Sequence, residues 1–351
     1  MTYCRGVCAI MRLGLKKNMV PTPDEVLVPS LGNGVSKPIT PEDAEKLLES
    51  VRACQLPAAE SEFHVDWMGI RTRIGMLPWA PSELAGITSE ALPIPDDSYR
   101  SEASEYAALA LALDRAIDTL CIVEVGAGWA PWVVAGLATA KRRGLQGRGL
   151  AIEADLTHAS WAVIHAQDNG IDAELIEGTP TEIIDALRSA TTEMQIIHAA
   201  GWMENTFVSF PDVSSEDMGV AVCTLGTTGT DYRGAHLPHV EIPAIALSQV
   251  FSALNMRIDL LHIDVQGVEF ELTSQNAGTI QSHAVTMAIG THSRKSEGQL
   301  QQFFLERGWG LRIDEPCTAI FNMTHPTIAG FTVQDGFQFY ENPFLLDQIK
   351  S

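Results

Sequence analysis

The stretch that most constrains this 351-residue chain is TLCIVEVGAGWAPWVVAGLATAKRRG, Thr119 to Gly144. An apolar run stops at Gly126 and Gly128, one residue apart, and a second apolar run opens on Pro131. The first run has the length and apolar content of a buried strand. The second has proline in its first turn and Lys141, Arg142 and Arg143 in its last. Gly144 lies just beyond, and this combination marks a helix. A strand that turns through glycines into a helix is the repeating unit of an open α/β sheet. Ligands bind such sheets at the carboxyl ends of the strands.

The alternation continues on both sides. SEASEYAALALALDRAID reads as a helix, with Ser101 as N-cap and Glu102 and Glu105 at the positive end of the dipole. GRGLAIEA is a second strand and LTHASWAVIHAQDNG a helix stopped at Asn169-Gly170. IDAELIEG is a third strand. Residues 195 to 245 are less regular and suggest a hairpin or lid. After them come strand RIDLLHIDV, helix GVEFELTSQNAG, strand AVTMAIGTH and helix SEGQLQQFFLERGW. GLRIDE with GFTVQDGFQFY forms a closing antiparallel pair. The expected fold is α/β, a doubly wound and mostly parallel sheet. Residues 1–95 are proline-rich and read as an N-terminal extension or cap, with the functional domain spanning 96–351. Within the extension, PEDAEKLLESVRAC predicts a short helix and FHVDWMGIRTRIGM a hairpin.

Asp and Glu number 44 against 23 Lys and Arg, a formal net charge of −21. Such a balance repels phosphate, so neither nucleic acid nor an anionic membrane surface is an expected partner. The six cysteines (Cys4, Cys8, Cys54, Cys121, Cys223 and Cys317) form no CxxC pair and are expected to be free thiols in a reducing cytoplasm. The first 17 residues make a poor secretory signal, and no stretch reaches the roughly 18–20 apolar residues of a membrane span. Oligomeric state is not readable from the sequence.

The glycine loop discriminates among ligands. A dinucleotide fingerprint needs a third glycine where Pro131 stands. An acid, Glu124, lies two residues before the first glycine. Acid-x-Gly-x-Gly suits S-adenosylmethionine, whose ammonium and sulfonium a carboxylate favours. Glu124 is expected near the ammonium, with Gly126, Ala127 and Gly128 lining the turn. Glu153, followed by Ala154 at the end of the second strand, is placed to accept both ribose hydroxyls. An NAD(P)-dependent oxidoreductase on a similar sheet is the rival enzyme reading. A non-catalytic binding protein that keeps the fold is the other.

These segments, with DLLHIDVQGVEFEL and IGTHSRKSEGQLQQFFLERGW, resemble the FkbM-type methyltransferases over about residues 98 to 315. The resemblance implies a class I methyltransferase fold and S-adenosylmethionine as cofactor. It also implies methyl transfer, most often to a hydroxyl of a sugar, glycan or secondary metabolite. Two positions depart from the family pattern. Gln266 stands where Asp-Val-Glu-Gly has its glutamate, so any base or metal ligand there is missing. Ala130 stands at a position where the loop commonly carries a glycine.

For the chemistry, Asp264 ends strand LLHIDV and is placed to orient substrate or cofactor. His292 ends strand MAIGTH and is the first candidate for general base. His262 lies one rung deeper than Asp264 on the same strand face and reads as a core histidine. A divalent metal held by His262, Asp264 and His292 is possible by residue type but not expected. Trp129 and Trp132 read as packing at a helix start, and Tyr99, Arg100 and Glu105 as candidates for a segment folding over the cofactor.

Overall fold

The computed structural model of the chain describes residues 39–212, 238–321, 324, 327 and 329–350. Helix α1 (Pro41–Val51) starts on a capping box, in which the Thr40 hydroxyl takes the Asp43 N–H and Asp43 answers the Thr40 N–H. Strands β1 (Phe63–Val65) and β2 (Arg71–Arg73) pair antiparallel, as the hairpin pattern predicts. Helix α2 (Ala103–Arg115) begins later than expected: its N-cap is Glu102, with no side-chain cap bond. Ser101 is not the cap, because its N–H is taken by Asp97 and its hydroxyl by Glu102.

Strand β3 (Thr119–Val125) then leads through the glycine loop into α3 (Pro131–Arg142). Next come β4 (Gln146–Glu153), α4 (Leu156–Asp168), β5 (Ala173–Ile176), α5 (Pro180–Ser189) and β6 (Met194–His198). Strands β7 (Ala200–Trp202), β8 (Thr206–Pro211) and β9 (His239–Ala246) form a separate sheet in the order β7-β9-β8. The irregular stretch of the sequence thus contains β6, the fourth parallel strand of its half, and this small sheet; residues 213–237 lie outside the description. Helix α6 (Leu247–Leu254), β10 (Leu260–Ile263), α7 (Glu269–Gln275), α8 (Ala277–His283), β11 (Thr286–Thr291) and α9 (Arg294–Leu305) complete the second half. Strand β12 (Gly310–Glu315) is followed by the short pair β13 (Thr318–Ala319) and β14 (Thr332–Gln334), then β15 (Gly336–Glu341) and α10 (Pro343–Lys350).

The main sheet has the order β12-β15-β11-β10-β3-β4-β6-β5. The six strands from β11 to β5 are parallel, and β15 runs antiparallel between β11 and β12. This is the class I methyltransferase arrangement, extended at one edge by β5. Alternation along β3 explains the two layers. Ile122 packs with α2 and α3 on one face, while Val123 and Val125 pack with α6 and α9 residues such as Phe251 and Phe304 on the other. The chain leaves β3 toward β4 and returns on its other side to β10. The ends of β3 and β10 therefore form the topological switch point, where an open sheet leaves a crevice.

Candidate functional site

At the switch point the glycines have a specific task. Gly126 has φ +74°, and a Cβ on it would lie 1.8 Å from the Asp264 carbonyl oxygen. Only glycine lets the loop press against the end of β10. Ala130, the N-cap of α3, also sits in the left-handed region at φ 53°, which accounts for the family's glycine there.

Two cavities meet over this contact, sharing Arg100, Gly126, Gly128, Trp129 and Asp264. The first, about 250 Å³, runs over the ends of β4 and β6 and carries Glu153, Ala154, Asp155, His158, Phe210 and Gln266. Glu153 is buried and accepts from the Gly128 N–H at 2.6 Å and the Asp155 N–H at 2.7 Å. Each carboxylate oxygen is thus fixed by one backbone donor and keeps a lone pair for a hydroxyl. Burial pushes its pKa up.

The second cavity, about 360 Å³, runs over β10 and β11 and the start of α2. Glu124 and Ala127 lie here and not on the first cavity's wall. Glu124 accepts the Val133 N–H at 3.0 Å, and burial raises its pKa to about 8. His262 is in register with Glu124 and pairs with Glu105 at 3.0 Å. Burial pushes Glu105 up to about 7; burial alone would lower His262, but the Glu105 hydrogen bond and charge hold it above the usual imidazole value. His262 is therefore in the core, as expected, but it belongs to a buried ionic pair.

His292 is 2% exposed and clamped between acids. Its Nδ1 is 2.7 Å from Glu269 and its Nε2 3.2 Å from Asp264. Burial alone would lower its pKa, but Glu269 and Asp264 outweigh burial and hold it well above the usual imidazole value. An imidazolium with both nitrogens engaged has no lone pair for a substrate proton. The general-base role expected of His292 is corrected on this ground. Asp264 meets the same partner from the other side. Burial would raise its pKa, and the His292 hydrogen bond and charge hold it below the usual carboxylate value. It faces both cavities and takes a hydrogen bond from the Gln266 amide at 3.0 Å, from a residue at φ 53°.

The sequence reading missed Glu269 and the cluster around Arg100. Glu269 opens α7 and reads as an ordinary dipole partner; its distance to His292 comes from α7 and β11 lying side by side. Arg100 is buried, with Asp66 at 2.7 Å, the Tyr106 hydroxyl at 2.7 Å and the Thr72 hydroxyl at 3.1 Å. Trp129 lies between the two cavities and stacks with Tyr99. Among the described residues, no group of three or more His, Cys, Asp or Glu side chains is arranged to hold a metal. Nor is any helix long and apolar enough to cross a membrane. Cys54, Cys121 and Cys317 are free thiols; Cys4, Cys8 and Cys223 lie outside the described residues.

No family model matches the chain. A protein of Jannaschia sp. (strain CCS1) named "Putative methyltransferase" is 28% identical over 279 residues, covering 79% of this chain and 91% of that protein. Among solved structures, an FkbM methyltransferase from Methylobacillus flagellatus KT shares 9% identity at a TM-score of 0.35, over 68% of this chain and 54% of that one. An O-methyltransferase from Bacillus cereus in complex with SAH shares 10% identity at 0.33, over 71% and 84%. An rRNA methylase from Streptococcus thermophilus shares 10% at 0.34, over 68% and 95%. Sheet order and sequence relative agree on the class, a protein of the class I methyltransferase type. That is the class the FkbM resemblance implied. The expectation of no nucleic-acid partner is corrected, since an rRNA methylase stands among the neighbours. Net charge summed over a whole chain does not fix the sign of any one face.

Proposed function

We propose that the chain transfers a methyl group from S-adenosylmethionine to a hydroxyl of a small molecule or glycan, with the nucleoside in the first cavity and the acceptor in the second. The observation that carries this reading is Glu153, buried at the end of β4 and oriented by the Gly128 and Asp155 N–H groups. A carboxylate held this way fits a ribose diol, and the bare Gly126 and Gly128 backbone beside it fits a ligand approaching closely. When bound, S-adenosylmethionine supplies the methyl group and departs as a neutral thioether.

The protein's part is to aim and to take a proton. Asp264 stands where the cavities join, and its lowered pKa keeps it ionised at neutral pH. It receives the hydroxyl proton as the oxygen forms its bond to the methyl carbon. His292 is a positioning residue, which holds Asp264 through Nε2 while Glu269 holds Nδ1. Trp129 and Tyr99 stack on one another in the wall of the first cavity.

Titration calorimetry with S-adenosylhomocysteine tests the cofactor. Heat is expected with the native chain, and Glu153→Ala should weaken binding by roughly 10- to 100-fold, the worth of a hydrogen bond to a charged group. Heat with NAD(H) and none with S-adenosylhomocysteine would overturn the reading.

A further inference from the structure

His292 has a third acid beside it, Asp335, that the reaction as described does not use. Asp335 is the single residue between β14 and β15, and its Oδ2 lies 3.8 Å from the same Nε2 that Asp264 meets at 3.2 Å. Strand register puts it there. Thr291 pairs with Gly336 at the end of the β11–β15 ladder, so His292 and Asp335 are the next residues along the two strands. Two further features fix the approach. The Thr332 hydroxyl donates to the His292 carbonyl at 2.9 Å. A Cβ on Gly336 would fall 2.5 Å from a Glu297 carboxylate oxygen and 2.5 Å from the Glu315 carbonyl, so only glycine lets the chain press in next to Asp335.

The other charged groups around the ring are committed elsewhere. Glu269 of α7 takes the Nδ1–H and the Ser296 hydroxyl. Glu297 of α9 is turned to Thr291, Cys317 and Arg294. His262, one rung deeper on β10, is paired with Glu105. Asp264, His292 and Asp335 all line the second cavity. One N–H therefore faces two carboxylates there, and the Asp335 side chain is 53% exposed. A single donor cannot serve both fully, so what it gives Asp335 it withholds from Asp264. The charge on Asp335 also disfavours a second negative charge close by. Both effects leave Asp264 readier to accept a proton than His292 alone would make it.

We propose that Asp335 is a positioning residue for the methyl transfer: it draws on His292 Nε2–H and so sets how strongly Asp264 pulls the acceptor's proton. This rests on the reading of Asp264 as the proton acceptor. In the step itself the hydroxyl oxygen bonds to the methyl carbon and the sulfur keeps the electrons of the broken bond. The hydroxyl proton passes to Asp264. Asp335 exchanges no atom with the substrate and acts through His292. Replacing it with asparagine gives the N–H more fully to Asp264, which becomes a weaker base.

Two variants of the full chain test this, Asp335→Asn and Asp335→Glu. The first readout needs no acceptor. With the histidine rings labelled with carbon-13, His292 is followed by NMR from about pH 6 to 10, its resonance assigned as the one missing from His292→Gln. In Asp335→Asn it should lose its proton at a pH lower by roughly half a unit, the worth of a half-exposed ion pair. Asp335→Glu should titrate as the native chain does. The second readout supplies S-adenosylmethionine labelled in its methyl group and a small-molecule extract of the organism that encodes the chain. At saturating S-adenosylmethionine, Asp335→Asn should transfer label roughly two- to threefold more slowly, as a weaker general base does, and Asp335→Glu should restore the rate. KM for S-adenosylmethionine and Tm should stay as in the native chain. An unchanged titration, an unchanged or faster rate, a raised KM, or a loss that Asp335→Glu does not restore would each overturn the proposal. A native chain that transfers no label, or Asp264→Asn with its turnover intact, removes the underlying reading instead.

Discussion

Glu269→Gln probes the buried charge that fixes Asp264. The substitution keeps the size of the side chain and removes its charge. In the native chain the acid is fully buried, 2.7 Å from an imidazole that is 2% exposed. Removing one partner of a buried ion pair costs about 3–5 kcal/mol. Glutamine still reaches Nδ1, and His292 can lose its proton, so the lower end, about 3 kcal/mol, is expected. For a chain of 351 residues that is a fall in Tm of roughly 4 °C. The pH dependence is more diagnostic. The folded pKa of His292 is raised above its unfolded value near ~6.5, so its contribution is fully present below that pH. It is lost as pH rises through the folded pKa, at about 1.4 kcal/mol per unit. The variant lacks most of this slope. Urea denaturation at several pH values from 6 to 9 should show the widest gap between native and variant at pH 6, closing as pH rises. Glu269 lines neither cavity, so S-adenosylhomocysteine binding should hold. A gap that is absent, or constant with pH, refutes the imidazolium clamp.

Other changes isolate other parts of the site. Asp264→Asn should lower turnover by about 10²- to 10⁴-fold in a labelled-methyl assay, with S-adenosylhomocysteine affinity little changed; retained turnover removes Asp264 as proton acceptor. Gly126→Ala should abolish S-adenosylhomocysteine binding by calorimetry, since its Cβ would fall 1.8 Å from the Asp264 carbonyl oxygen; native affinity would contradict the close approach. Gln266→Glu places a second carboxylate about where an amide now donates to Asp264 at 3.0 Å. Two acids so close cannot both ionise easily, so Asp264 should titrate higher. Turnover should then fall at neutral pH and recover as pH rises, and a pH–rate profile identical to the native one would exclude the contact.

What the sequence disclosed follows from how local each feature is. Strand β3, the glycine loop and α3 were legible because apolar run, glycine pair, helix-opening proline and basic last turn all lie within Thr119 to Gly144. Glu153 was legible because it ends the next strand, a fixed step along the βαβ unit. Strand β6 was not. MQIIH carries a glutamine and a histidine in a five-residue run, and its place between β4 and β5 depends on sheet pairing and not on the order of the chain. The protonation of His292 was also hidden. A histidine at a strand end reads as a base until Glu269, 23 residues earlier, is seen against its other nitrogen.

The same logic gives the proline-rich segment before α2 a part in the site. Asp66, just after β1, and Thr72, in β2, hold the Arg100 guanidinium in place. His64 contacts the Tyr99 hydroxyl at 3.0 Å, and Tyr99 stacks on Trp129. Trp129 and Arg100 are walls of both cavities. Leu48 and Trp67, from the same segment, share a core with Tyr106 and Trp132. An open α/β sheet leaves its switch-point crevice uncovered on one side, and its own strands and helices offer nothing to close it. Here the closing residues follow directly on this proline-rich segment and are oriented from it. A buried guanidinium is tolerated only with its counter-charge and hydrogen bonds in place. The cavity wall at Arg100 therefore depends on Asp66 as firmly as Asp264 depends on His292.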